Sequence, residues 1–132
     1  MNLLGIRQPE IYGSATYKDL QLMIFEEAEK LGVAVSCFQS NHEGELVEAI
    51  QKAYFKKMDG IIINPAAYTH TSVALLDAVK AVGIPTVEVH ISDPDSREEF
   101  RHVSYIRAAC IATIRGHGLE GYLEALRLLA KA

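Results

Sequence analysis

The chain has 132 residues, 49% of them hydrophobic and 23% charged, with a formal net charge of −4. That length fits one domain over residues 1–132 with a buried core, and the balance of residues excludes a disordered chain. The acidic charge without a Lys/Arg cluster argues against a nucleic-acid partner, and no apolar run nears the ~20 residues of a membrane span or follows a basic start, so a cytoplasmic protein is expected.

A loop bearing Gly5, Pro9 and Gly13 comes first. Thr16, with Asp19 three residues on, has the pattern of a capping box, and Leu20, Ile24, Phe25, Ala28 and Leu31 then recur at helical spacing until Gly32. Residues 33–38 are apolar and β-branched, which predicts a strand. The polar turn Ser40-Asn41-His42 leads into a second helix with Leu46, Ala49, Ile50 and Ala53 on one face. The unbroken apolar run 60–63 predicts a strand covered on both sides, closed by Asn64-Pro65. A third helix, capped near Thr71 or Ser72, runs to about Val82. Residues 85–91 predict a strand, and 92–102 form a polar stretch carrying Arg97 and Arg101. Another strand over 110–114 and a helix over 119–131 complete the pattern.

Helices alternating with short apolar strands predict an α/β fold, a parallel sheet with helices on both faces. No strand precedes the first helix in this order. In a flavodoxin-like sheet, ordered 2-1-3-4-5, the first strand is interior. The pattern therefore predicts a gap between strands rather than a shortened edge. Cys37 and Cys110 both fall in apolar strand-like runs, which predicts buried free thiols and fits a reducing compartment.

Ligands of open parallel sheets bind beyond the carboxyl ends of the strands. Those ends carry Asn64, His90 and Ser92, with Thr69-His70-Thr71-Ser72 before a helix and Arg97 and Arg101 in the next loop. Two arginines and a helix N-terminus suit an anionic, hydroxylated small molecule. Glu88 lies two residues before His90, so on a strand both side chains share a face, where a carboxylate orients the imidazole and favours its protonated form. The histidines are dispersed without a ligand-spaced pair, so no metal site is expected. In the opening loop Arg7 stands five residues from Tyr12; a nearby cation favours the phenolate, although on these residues alone an ordinary surface loop with an exposed ion pair is the better reading. The run Gly116-His117-Gly118-Leu119-Glu120-Gly121 matches a dinucleotide fingerprint. A second strand and an acidic residue about 20 positions on are also required, and eleven residues follow Gly121, so a tight turn with close helix packing is the better reading.

Several segments together resemble the type II 3-dehydroquinate dehydratases. They are the opening loop Leu4-Gly5-Ile6-Arg7-Gln8-Pro9-Glu10-Ile11-Tyr12-Gly13, then Phe38-Gln39-Ser40-Asn41-His42-Glu43-Gly44 and the stretch from Ile63 to Ser72. Further on come Val87-Glu88-Val89-His90-Ile91-Ser92, Arg97-Glu98-Glu99-Phe100-Arg101-His102, and Gly116 to Tyr122. The resemblance implies an anti elimination of water from 3-dehydroquinate to 3-dehydroshikimate through an enolate, without metal or organic cofactor. It implies Tyr12 as the base, Arg7 as the lid arginine that keeps it reactive, and His90 as the acid, supported by Glu88. Asn64, His70 and Arg101 match residues that bind substrate hydroxyls, Ile91 and Ser92 match the carboxylate-binding turn, and Asp77 matches an acid reaching an adjacent subunit. A flavodoxin-like fold, assembled as trimers and commonly as a dodecamer, is implied as well. Family members carry, before the lid, a strand and a Gly-Pro-Asn-Leu turn whose asparagine holds a water near the enolate. Met1-Asn2-Leu3-Leu4-Gly5 stands here instead, and that role is not carried over to Asn2.

Two other readings stay open from the residues. One is a non-catalytic member of the family, serving as an oligomer component or ligand-binding module. The other is a nucleotide-binding domain resting on the glycine fingerprint.

Overall fold

A computed structural model describes residues 1–2, 4–5 and 14–131. Helix α1 (Tyr17–Leu31) opens on the expected capping box: the Thr16 hydroxyl accepts from the Asp19 N–H at 3.2 Å, and the Asp19 carboxylate accepts from the Thr16 N–H at 2.9 Å. Two N–H groups that a helix start leaves without partners are thereby satisfied. Gly32 ends the helix at φ 70°, a left-handed conformation that costs glycine nothing. Helix α2 (Glu43–Phe55) and strand β1 (Ile61–Ile63) follow. Of the two candidate caps for α3 (Val73–Val82), Ser72 does the work, its hydroxyl accepting from the Leu75 N–H at 2.9 Å. Strands β2 (Thr86–His90) and β3 (Ala112–Arg115) and helix α4 (Glu120–Ala130) complete the regular elements. Short 3-10 turns at Ala66–His70, Pro94–Ser96, Glu99–His102 and Ile106–Ala109 build the loops between them.

The three strands pair in parallel in the order β1-β2-β3, with Ile63 opposite Glu88 and Glu88 opposite Thr113. Side chains alternate along β2. Val87 and Val89 pack with Leu20, Ile24, Tyr122 and Leu126 of α1 and α4. On the other face Leu75 and Val79 of α3 pack with Ile50 of α2 and Ile106. Each fully buried leucine such as Leu75 contributes about 1.5–3 kcal/mol. Because both faces are covered, all five residues of β2 are buried, including the polar Thr86, Glu88 and His90.

Two expected strands differ. Residues 33–38 keep the period of a strand, with Val33, Val35 and Cys37 packed towards α1 and α4 while Ala34, Ser36 and Phe38 are exposed. They form no ladder, however. A cavity of about 560 Å³ separates them from β1, lined by Val33, Val35 and Cys37 on one side and by Gly60 and Ile62 on the other. This is where the expected gap falls. The strand expected over 110–114 begins at Ala112 instead, because the Cys110 N–H is held by the Arg107 carbonyl at 3.2 Å, closing the turn before it. Cys37 and Cys110 are free thiols, as expected, but half-buried rather than fully buried.

The glycine fingerprint is a packing device. Gly116 and Gly118 take φ values of 79° and 61° to turn the chain into α4. At Gly121 a Cβ would lie 3.3 Å from both Ile114 and Val89, so the missing side chain lets α4 approach the sheet closely.

Candidate active site

Beyond the carboxyl ends of β1 and β2 lies a cavity of about 340 Å³. Asn64, at the end of β1, and His90, Ile91 and Ser92, at the end of β2, form its floor. His70 comes from the 3-10 turn after β1, and Arg101 and Arg97 come from the loop after β2. Seven of the residues singled out in the sequence thus converge on one cavity, joined by Asn41 from the turn before α2. Glu88 lies beneath the wall rather than in it, and Asp77 sits on the exposed face of α3, outside the lining. Arg7 and Tyr12 lie outside the described residues.

The wall is held by polar contacts that fix orientations. His70 donates from Nδ1 to the Val103 carbonyl at 2.7 Å, which leaves Nε2 as the acceptor of the neutral ring. Arg101 donates from Nε to Glu98 at 2.6 Å and lies 4.9 Å over the ring of Phe100, which meets His70 edge-on at 6.4 Å. Asn64 accepts from the Ala66 N–H at 3.0 Å and donates to the Tyr122 hydroxyl at 2.8 Å. Burial pushes the Tyr122 phenol well above its ordinary value, only partly offset by that amide, so it remains a neutral hydroxyl.

Glu88 is the electrostatic centre. It is fully buried, and His90 Nε2 donates to its Oε2 at 2.5 Å. Ser104 donates to the same oxygen at 2.7 Å, while Arg107 Nε at 3.2 Å and the Thr113 hydroxyl at 3.1 Å donate to Oε1. Burial on its own raises a carboxyl. Here the hydrogen bonds from His90, Ser104 and Arg107 outweigh it and hold Glu88 down at about 2. His90 therefore meets an ionised carboxylate on one side and the cavity on the other.

Ser104, Arg107 and Thr113 were not evident from the sequence. Their signal is faint: Arg107 is the one charged residue in the mostly apolar run 106–114, and Thr113 faces Glu88 through the β2–β3 register.

Comparison with known proteins places these features in a family. The family model described as Dehydroquinase class II matches residues 1–130. A 3-dehydroquinate dehydratase of Caldicellulosiruptor bescii is 56% identical over 98% of this chain and 89% of its own length. One from Clostridium perfringens is 55% identical over 99% of this chain and 90% of its own. Among solved structures, a type II dehydroquinase from Butyrivibrio crossotus superposes with a TM-score of 0.96 at 49% identity, covering 97% of this chain and 89% of that one.

Proposed function

The chain belongs to the class II dehydroquinase family, and on that basis we propose how its cavity eliminates water from 3-dehydroquinate to give 3-dehydroshikimate. The reaction makes it a hydro-lyase. The proton beside the ketone is already activated, so a positioned base, an acid and stabilisation of the enolate are physically sufficient. Tyr12 removes that proton as the phenolate, with Arg7 favouring its ionised form. His90 then protonates the departing hydroxyl. The observation that carries this reading is the Glu88–His90 pair, an ionised carboxylate bound to an imidazole that lines a cavity of substrate size. Glu88 holds the ring in place for the acid step through the bond to its Nε2 and acts through His90 rather than on substrate.

Asn64, His70 and Arg101 bind the hydroxyls, and Ile91 with Ser92 holds the carboxylate. The cavity's arginines and its polar floor support both assignments. A second carboxylate, Asp77, is assigned to the site of an adjacent subunit, and its exposed position on α3 agrees with that. The assembly is trimer-based, a dodecamer in full; the exposed Phe55, 78% accessible, and Tyr54 supply apolar surface that such packing covers. The enzyme works in the cytoplasm, a reading supported by its free thiols and by the lack of any described helix long and apolar enough to cross a membrane.

The two proton steps separate in one experiment, hydrogen exchange from deuterated water into substrate at the carbon beside the ketone. His90→Ala is expected to exchange that hydrogen while failing to lose water, and Tyr12→Phe to do neither. Loss of exchange in His90→Ala, with Tyr12→Phe still active, would reverse the assignment of base and acid. Sedimentation velocity tests the assembly separately, with a monomer contradicting it.

A further inference from the structure

Asn41 stands in the wall of the cavity beside His90, yet none of the proton transfers or substrate contacts proposed for the dehydration uses it. It lies in the polar turn that leads into α2. An asparagine in such a turn ordinarily serves its own backbone, its side-chain oxygen accepting from an N–H two residues on or capping the next helix. Here other groups fill those places. The His42 N–H donates to the Ser40 hydroxyl at 3.0 Å, and Ser40 donates in turn to Glu45 in the first turn of α2. The N-cap position of α2 belongs to His42 and has no side-chain cap bond. The Asn41 amide oxygen instead accepts from the Gln39 side chain at 3.1 Å, so Nδ2 is what the side chain has left to offer the cavity.

The main chain of Asn41 is fixed from a second element. The Tyr68 hydroxyl donates to the Asn41 carbonyl at 2.8 Å. Tyr68 belongs to the 3-10 turn at Ala66–His70, the same turn that carries His70 to the cavity. Its own carbonyl accepts from the Thr71 and Ser72 N–H groups at 3.3 and 2.9 Å, and its side chain packs against the cluster of Ile50, Leu75 and Val79. The clamp on Asn41 is therefore anchored at the start of α3.

Building on the dehydration proposed for this cavity, we infer that Asn41 is a further substrate-binding residue whose Nδ2 donates to an oxygen of 3-dehydroquinate, and that Tyr68 is the positioning residue that holds its turn. The substrate carries a carboxylate, a ketone and hydroxyls, so its ring presents acceptors on several sides. Asn64, His70, His90, Ser92 and Arg101 all come from the ends of β1 and β2 or the segments that follow them. Asn41 adds a donor from a different part of the chain, which leaves the bound ring fewer orientations. A neutral amide away from the proton transfers holds substrate and transition state alike, so its contribution is to binding rather than to the rate of the bound complex.

The test combines steady-state kinetics of the full chain with calorimetric binding of 3-dehydroshikimate, a readout that needs no turnover. Asn41→Asp keeps the size and the bond from Gln39 but turns the donor into an acceptor beside an anionic ligand. KM and the product Kd are expected to rise about tenfold in Asn41→Ala and at least about thirtyfold in Asn41→Asp. For both, kcat is expected to stay within about threefold, and Tm to stay unchanged because Asn41 is exposed. Tyr68→Phe is expected to raise KM and Kd about fivefold, and to add nothing further on top of Asn41→Ala, because it acts through Asn41. Unchanged binding in Asn41→Asp would overturn the inference, as would a fall in kcat at constant KM. Full additivity of Tyr68→Phe with Asn41→Ala would remove Tyr68 from it. Wild-type protein that binds 3-dehydroshikimate without turning over substrate would sink the dehydratase reading alone, and weaker binding by Asn41→Asp would still uphold the contact. Absence of binding to wild type would overturn both.

Discussion

On β2 the imidazole of His90 lies 2.5 Å from the carboxylate of Glu88, and that carboxylate receives three further donors from Ser104, Arg107 and Thr113. Glu88 thus ties the acid of the proposed reaction to the turn at Ile106–Ala109 and to β3. Replacing it with glutamine keeps the shape but leaves buried donors facing an amide that itself donates. Glu88→Gln is expected to lose about 3 kcal/mol of stability in urea melts. Turnover is expected to fall by at least about 10²-fold.

Arg107 provides a pH test of the same network. Glu88 is held at about 2 against an ordinary value of 4.5, with burial opposed by its donors. A lowered carboxyl stabilises the fold fully above its unfolded value and loses that contribution as pH falls towards the folded one. Arg107→Met removes one donor and lets the carboxyl rise. The stability gap between wild type and Arg107→Met should therefore be level above about pH 5 and narrow between roughly pH 4.5 and 2. Urea midpoints measured across that range check it; a gap independent of pH would exclude the charge interaction as its source.

Thr69 offers a stabilising change. It is 1% exposed, and its hydroxyl finds no partner among the described residues, whereas its carbonyl accepts from the Tyr105 N–H at 3.1 Å. Thr69→Val keeps the shape and the carbonyl and removes the unsatisfied oxygen. A gain of about 1 kcal/mol is expected, read as a higher Tm.

Tyr122 is the tyrosine that sits beside Asn64, and its phenol is pushed upward by burial. It is unsuited to be the base. Tyr122→Phe is expected to keep turnover within about tenfold, while Tyr12→Phe abolishes it. The opposite ranking in steady-state assays would move the base from the opening loop to α4.

How much of this was legible in the sequence follows from distance along the chain. Local signals read true: Thr16 and Asp19 cap α1, Gly32 ends it, and the alternation of Glu88 and His90 places both on one face of β2. Asn64, His70 and Arg101 were legible as strand-end and loop residues, since ends of parallel strands gather on one edge. Contacts made by register or packing were not. Thr113 meets Glu88 only because β3 pairs with β2 in that register, and Tyr122 reaches Asn64 only because Gly121 lets α4 lie close. Residues 33–38 show the same limit from the other side. Their apolar alternation is real, but a ladder needs a neighbour, and a cavity lies where that neighbour would pair.

The central claim is that the Glu88–His90 pair serves the dehydration of 3-dehydroquinate in the adjoining cavity. The direct measurement is the ultraviolet absorbance rise of the conjugated enone product, with wild type and His90→Ala side by side and far-ultraviolet circular dichroism confirming that both are folded. The account predicts steady turnover by wild type and a fall of at least about 10²-fold in His90→Ala. Folded wild-type protein without turnover, or a His90→Ala variant as fast as wild type, would contradict it.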